Sequence, residues 1–134
     1  MIINQISVFL ENKPGRVSEF ARLLGENHID LLALTIGENQ DYGLLRVIVD
    51  QPERTTEILS ANRWPCTVTP VLVITVPDEP GSLVNVLTAI ADEGINIAYC
   101  YSFRSHTAGT VCVALRLDDN IRAQRLLNAK GIEA

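Results

Sequence analysis

Several features that mark whole classes of proteins are missing from this chain of 134 residues. Its net charge of −5 is spread evenly, and no stretch is basic enough to follow a phosphate backbone, so we expect no nucleic-acid partner. No apolar run approaches the roughly 20 residues of a membrane span, so we expect no membrane partner. Residues 1–5 (Met-Ile-Ile-Asn-Gln) have neither the charged leader nor the apolar core of a secretory signal, which favours a cytoplasmic protein.

Cysteine and histidine are scarce, and neither forms a recognisable motif. Cys66, Cys100 and Cys112 make no CxxC pair and fall in predicted strands among apolar residues, so we expect buried, reduced thiols. His28 and His106 have no histidine or cysteine partner at metal-ligand spacing, so we expect no metal site, and nothing indicates a cofactor. The chain also has no GxSxG elbow, P-loop or HExxH motif. These absences argue against an enzyme.

What the chain does have is a duplicated segment. Residues 12–17 (Asn-Lys-Pro-Gly-Arg-Val) and 78–83 (Asp-Glu-Pro-Gly-Ser-Leu) each follow a short apolar run, and they lie 66 positions apart. The same interval separates residues 28–31 (His-Ile-Asp-Leu) from 94–97 (Gly-Ile-Asn-Ile). A period of this length is too long for a solenoid repeat and suits two small domains in tandem.

Hydrophobic periodicity predicts the same order of elements in both copies: strand–helix–strand–strand–helix–strand. The predicted strands are 6–10, 31–36, 44–49, 66–69, 71–76, 97–103 and 111–117, and a predicted helix follows each Pro-Gly pair, the strand at 44–49 and residue 119. We expect Asp50 to cap the second helix, and residues 38–41 with Gly43 to form a hairpin turn. Leu59 matches Leu127 at an interval of 68 rather than 66, which predicts two inserted residues in the hairpin.

This order of elements predicts an α+β fold of two tandem ferredoxin-like βαββαβ sandwiches, at 1–69 and 70–134, with antiparallel sheets and both helices on one face. A domain of roughly 60 residues buries only about 60% of its chain's surface, so we expect each half to pack on the other or on a second chain. Only three residues follow Gly131. The final strand is therefore vestigial, completed by a partner, or lost with a missing tail, and the sequence leaves these alternatives open.

The Pro-Gly turns are the places where chemistry is expected. Gly15 and Gly81 allow a close approach of the backbone, and the helix that follows each glycine presents unpaired N–H groups that suit a small carboxylate or phosphate. Asp30 and Asn96 occupy matching positions before the second strand of each copy, where they could accept from a ligand ammonium. The plainer interpretations stay open: the turns only reverse the chain, and Asp30 and Asn96 only bond to nearby backbone.

Three aromatic residues, Tyr99, Tyr101 and Phe103, share one face of a predicted strand. The first copy has small residues at the matching positions, as two complementary packing surfaces would. The aromatic side chains could line a pocket between the copies or fill a core, and core packing is the simpler interpretation.

On these motifs the chain resembles the ACT-domain family, the small regulatory modules attached to many enzymes of amino-acid metabolism. The resemblance covers two ACT-like repeats at about 3–69 and 70–134, as in free-standing tandem ACT proteins. The family pattern, Asp-x-Pro-Gly and then Gly-Ile-Asn-Ile, is complete in the second repeat. The first repeat departs from it, with Asn12, His28 and Asp30 at the positions of the aspartate, glycine and asparagine.

The resemblance implies a non-catalytic, allosteric sensor in which an amino acid binds at the interface between ACT modules. It also implies a homodimer and a partner enzyme of amino-acid metabolism. By position it nominates these ligand-binding residues: Lys13, Gly15, Arg16, Val17 and Asp30 in the first repeat, and Glu79, Gly81, Ser82, Leu83 and Asn96 in the second.

Two alternatives from other classes remain. A small ferredoxin-like enzyme of the acylphosphatase kind would need a phosphate-cradling loop with a positioned arginine, and only Arg16 lies near a suitable turn, opposite Ser82 in the other repeat. A purely structural interaction domain would need no site at all.

Overall fold

The computed structural model describes residues 1–38 and 42–134, and the chain forms two compact units. The first unit is Asn4–Thr69, and the second unit is Met1–Ile3 with Pro70–Ala134. The division made from the sequence placed residues 1–3 with the first repeat. In chain order the elements are β1 (Ile2–Glu11), α1 (Arg16–Glu26), β2 (Leu31–Glu38), β3 (Tyr42–Val49), α2 (Pro52–Ala61), β4 (Cys66–Pro77), α3 (Ser82–Asp92), β5 (Ile97–Arg104), β6 (Thr110–Leu117) and α4 (Asn120–Ala129).

The first unit has the predicted βαββαβ order, and its strands lie side by side as β2-β3-β1-β4. β3 pairs antiparallel with both β1 and β2. Alternate residues of the strands, including Ile6, Val8 and Val47, pack with Phe20 of α1 and Leu59 of α2 in one buried cluster. Both helices therefore cover the same face of the sheet, which confirms the predicted ferredoxin-like fold.

The second unit repeats this plan with strands in the order β4-β6-β5. Its core holds alternate residues of β4 and β6, such as Ile74 and Leu115, packed with Val86 and Ile90 of α3 and with Leu127 of α4. The residues between β5 and β6 number two more than those between β2 and β3, which places the predicted insertion in the second hairpin. The turn predicted at 38–41 lies partly outside the described residues.

The prediction of separate strands at 66–69 and 71–76 was wrong, because β4 is one strand of 12 residues. Pro70 fixes its own φ at a value compatible with an extended chain, so it removes a hydrogen-bond donor without forcing a turn. Residues of β4 up to Thr69 belong to the first unit, and those from Pro70 onward belong to the second.

After α4, one bridge stands at the place of the final strand of the second unit, and in it the N–H of Thr75 donates to the carbonyl of Glu133 at 2.9 Å. The next position along the edge of β4 is taken by Met1, whose carbonyl accepts from the N–H of Val73 at 2.8 Å. The side chain of Asn128 holds the tail by accepting from the N–H of Ala134 at 3.1 Å.

Asp50 does not cap α2, which corrects the prediction: α2 begins after Gln51 without a side-chain cap. The Asp50 carboxylate instead accepts from the N–H of Asp30 at 3.0 Å. In the second unit the Asp118 carboxylate accepts from the N–H of Asn96 at 3.2 Å. Each carboxylate thus links the residue after the second strand of a hairpin to the residue before its first strand. A carboxylate that makes this bond is not free to cap the helix that follows.

The cysteines are free, and the expectation that all three are buried was wrong. Cys66 and Cys112 are half-buried, and burial raises the pKa of the Cys66 thiol. Cys100 is exposed because it lies in β5, which has β6 on one side only. Among the described residues, no helix is both long and apolar enough to cross a bilayer.

Candidate functional site

The two Pro-Gly turns have nearly the same backbone. Gly15 (φ 90°, ψ −16°) and Gly81 (φ 86°, ψ −8°) both adopt the left-handed conformation immediately before a helix. In each turn the N–H of the first helical residue donates to the carbonyl three residues earlier, at 3.4 Å in the first unit and 3.3 Å in the second. Glycine is favoured at both positions because a Cβ disfavours this conformation.

No side chain caps the helix that starts at either turn. Within residues 1–38 and 42–134, no hydrogen bond engages the backbone N–H of Val17 or of Leu83. The first N–H groups of a helix have no partner inside the helix, and the helix dipole adds a partial positive charge there. Both helix starts are therefore electrostatically suited to an anionic group.

A cleft of about 580 Å³ lies beside the helix start of the second unit. It is formed by the end of β4, the Pro-Gly turn, the first turns of α3 and the segment after α4. Its lining residues are Thr75, Val76, Pro77, Glu79, Pro80, Gly81, Ser82, Asn85, Val86, Thr110, Gly131, Ile132 and Glu133. The lining thus combines polar groups with apolar side chains, as in many small-molecule sites.

The corresponding place in the first unit is occupied by a group of side chains that we call the Arg16 stack: Arg16, Glu19, Phe20 and Trp64. The Arg16 guanidinium lies 4.2 Å from the centre of the Trp64 ring. Its Nη1 donates to Glu19 Oε2 at 2.6 Å. The rings of Phe20 and Trp64 meet edge to face, with centroids 5.8 Å apart. The four residues at the equivalent positions of the second unit all line its cleft.

The correspondence between the two places follows from the repeat and from matching backbone bonds. Arg16 is equivalent to Ser82 at the interval of 66, and Trp64 is equivalent to Ile132 at the interval of 68. The N–H of Trp64 donates to the carbonyl of Leu59 at 2.9 Å, and the N–H of Ile132 donates to that of Leu127 at 2.9 Å. The remaining members of the stack, Glu19 and Phe20, are Asn85 and Val86 in the second unit.

Among the residues nominated in the first unit, Lys13 and Arg16 already have partners. Lys13 Nζ lies 2.8 Å from Glu11 Oε2 in an exposed ion pair, and the hydrogen bond from Lys13 lowers the pKa of Glu11. Arg16 is held in the stack, with about a quarter of its side chain exposed. The side chain of Val17 packs against the core of its unit. Gly15 keeps open space around it.

In the second unit the cleft brings together three of the five nominated residues, Glu79, Gly81 and Ser82. Leu83 offers its backbone N–H, but its side chain packs against the core. In this unit, the Pro-Gly turn that was predicted to hold a ligand therefore has a cavity beside it.

Asp30 and Asn96 lie away from the turns of their own units. Each lies four residues after the end of a helix of 11 residues. Such a helix spans about 16 Å, so neither residue reaches the glycine at its start. Their backbone N–H groups bond to Asp50 and Asp118. Within a unit, the structure does not join them to the nominated turn.

The aromatic residues of β5 lie on the sheet face opposite the helix-side core of their unit. Tyr101 pairs with Ala114, and Phe103 pairs with Cys112, whereas the neighbouring Val113 points into that core. The rings of Tyr99 and Tyr101 are nearly parallel, with centroids 6.5 Å apart. All three aromatic side chains are half-buried, and none belongs to the helix-side core, so the simpler expectation of core packing does not describe them.

Sequence reasoning missed Asn85, Ile132 and Glu133 as lining residues of the cleft. A signal for two of these was present, because aligning the repeats sets Ser82, Asn85 and Ile132 against an arginine, a glutamate and a tryptophan. Where the aligned repeats have a large side chain in one copy and a smaller one in the other, the second copy can leave space that the first copy fills.

Comparisons with known proteins agree with this architecture. The sequence profile of the family described as the ACT domain pair matches residues 1–133. Protein BT0572 from Bacteroides thetaiotaomicron shares 36% identity, over 99% of this chain and 91% of that one, with a TM-score of 0.92. No curated protein matches the sequence significantly.

Two more distant structures show the same fold. The ligand-free regulatory subunit of aspartate kinase from Thermus thermophilus is 14% identical over 96% of each chain, with a TM-score of 0.71. The regulatory subunit of aspartate kinase from Thermus flavus is 15% identical over 96% of this chain and 94% of that one, with a TM-score of 0.64.

Proposed function

Because this chain belongs to the family of ACT domain pairs, we propose that it is a non-catalytic regulatory protein that binds an amino acid in the cleft of the second unit. The observation that carries this proposal is the uncapped start of α3 beside a cleft of about 580 Å³. An open helix start with a cavity next to it can hold a small carboxylate, and the described residues supply no nucleophile–base pair there.

The ligand carboxylate would accept from the free N–H of Leu83 and from the hydroxyl of Ser82. Glycine at position 81 leaves open space on the approach to these groups. The body of the amino acid would lie over Val86 and Ile132, which line the same cleft. As the family resemblance implies, a strand of a neighbouring ACT module would cover the bound ligand.

Regulation would follow from a difference in affinity between two assembly states. A ligand can shift an equilibrium only by as much as its affinities for the two states differ. We propose that the states are assemblies of this chain with a second copy or with a cytoplasmic enzyme of amino-acid metabolism. The solved regulatory subunits of aspartate kinase with the same fold support a partner of that kind.

The contacts of Arg16 disfavour an acylphosphatase-like enzyme. Such an enzyme needs an arginine that is free to hold the transferred phosphoryl group. The guanidinium of Arg16 is stacked on Trp64 and paired with Glu19. The equivalent position at the open cleft carries Ser82, which has no charge to offer.

A thermal-shift screen of the ligand-free full chain against the twenty amino acids tests the proposal. At a hundred times its dissociation constant, a ligand should add about 2.7 kcal/mol to the free energy of unfolding. The variant Ser82→Arg/Asn85→Glu rebuilds the Arg16–Glu19 pair inside the cleft and should abolish the shift. The control Val84→Arg places an arginine on the exposed side of α3, outside the cleft, and should keep the shift.

A screen without any stabilising amino acid would refute the proposal. A shift that survives in Ser82→Arg/Asn85→Glu would place the ligand elsewhere on the chain.

A further inference from the structure

We infer that the cleft of the second unit selects amino acids with a neutral or positively charged side chain and rejects those with a second carboxylate; this inference rests on the proposed amino-acid site. The charged residues that line the cleft are both glutamates, Glu79 from the Pro-Gly turn and Glu133 from the segment after α4. None of the described lining residues is a lysine, arginine or histidine.

The start of α3 gives the cleft a place for a carboxylate. With the α-carboxylate there, the rest of the ligand faces the neutral groups of Thr75, Asn85 and Thr110 and the carboxylates of Glu79 and Glu133. Glu79 and Glu133 are exposed, and their carboxylates attract the ligand ammonium because opposite charges attract. A second ligand carboxylate would meet like charge, and the described lining residues offer it no lysine, arginine or histidine side chain.

The first unit shows which chemistry this place accepts. There the chain fills the equivalent place with a cation, the Arg16 guanidinium, held between the Trp64 ring and the Glu19 carboxylate. In the second unit the arginine is replaced by Ser82 and the ring by Ile132, while two carboxylates line the vacated space. In the second unit, the positive or neutral group of a ligand would thus lie where the first unit has the side chain of Arg16.

Calorimetric titration of the ligand-free full chain tests the selection. Each of the twenty amino acids is titrated, with glutamine against glutamate and asparagine against aspartate as pairs of nearly equal shape. We expect the tightest ligand to have a neutral or positive side chain. We expect glutamate and aspartate to bind at least tenfold more weakly than that ligand, a difference of about 1.4 kcal/mol, and more weakly than their own amides.

The variant Glu79→Gln/Glu133→Gln should raise the affinity for glutamate and aspartate severalfold relative to the tightest ligand. The control variant Glu26→Gln/Glu57→Gln removes the same charge from exposed residues of α1 and α2 and should leave the ratio unchanged.

Aspartate or glutamate as the tightest ligand would overturn the selection while leaving the proposed function intact. A ratio that is the same in Glu79→Gln/Glu133→Gln and in the parent chain would also overturn it. If no amino acid binds, the proposed function and this inference both fail.

Discussion

The turn at Gly15 and the turn at Gly81 have φ and ψ angles within a few degrees of each other, and each opens an uncapped helix of 11 residues. Beside the first helix start, Arg16 lies on Trp64 and binds Glu19. Beside the second there is a cleft of about 580 Å³. The two copies therefore differ in what covers the helix start rather than in the helix start itself.

Under the proposed function, this difference separates a stabilising role of the first unit's side chains from a binding role of the second unit's cleft. In the first unit the place beside the turn contains two packed aromatic rings, of which Trp64 is only 9% exposed. Burying aromatic side chains is among the larger favourable contributions that a core residue makes. The second unit lacks this packing and leaves polar groups open to solvent, as a binding site requires.

The largest effect is expected from Trp64→Ala. It removes the ring that contacts both Phe20 and Arg16, and it leaves a cavity, so the free energy of unfolding should fall by about 3–5 kcal/mol. The matched change in the other copy, Ile132→Ala, removes a half-buried aliphatic side chain and should cost about 1 kcal/mol. Chemical denaturation of both variants measures the difference, and equal losses would contradict the assignment of the stack as a packing feature.

The glycine substitutions should have a smaller effect on stability, and only one of the two should affect binding. Gly15→Ala and Gly81→Ala both put a Cβ at a left-handed φ with no neighbouring atom within 4 Å. The strain is about 1–2 kcal/mol and is partly offset by the reduced freedom of the unfolded chain, so each should cost about 1 kcal/mol.

Only Gly81→Ala should weaken amino-acid binding, as measured by thermal shift in the same samples. Equal weakening by Gly15→Ala would mean that the covered turn also takes part in binding.

The smallest effect is expected from Lys13→Ala. The hydrogen bond and charge of Lys13 lower the pKa of Glu11 from its ordinary value of 4.5. A lowered pKa stabilises the fold above the ordinary value, and this contribution disappears as the pH falls through the folded-state value. Lys13→Ala should therefore be slightly less stable than the parent chain at pH 7, and the two should converge at acid pH.

Titration of the Glu11 carboxyl by NMR in both proteins checks this directly, because its pKa should rise in the variant. The residue of the second unit that is equivalent to Lys13 is Glu79, so this ion pair has no counterpart there.

Much of the fold could be predicted because it follows from local pattern. The strands of both copies, and the helix that follows each Pro-Gly pair, depend on the periodicity of neighbouring residues alone. The predictions about Asp50 and Cys100 failed for a tertiary reason. The partner of Asp50 is 20 residues away in the chain, and the exposure of Cys100 depends on which strands flank β5.

The candidate site was predicted in part for the same reason. Glu79, Gly81 and Ser82 were found because a turn and a helix start are local features. Ile132 and Glu133 were missed because they reach the cleft only after α4 has folded back onto the sheet. The contact of the Arg16 guanidinium could not be predicted, because it is made with Trp64, which lies 48 positions further along the chain.

The sequence by itself determined two copies of one α+β plan, each with a glycine that frees a helix start, since periodicity and left-handed turns are written in adjacent residues. Only the tertiary structure decided which helix start is open. That choice depends on whether a side chain from the segment after the second helix of each unit contacts the first residue of its first helix. Arg16 meets an aromatic ring and closes the place, whereas Ser82 and Ile132 are too small to fill it.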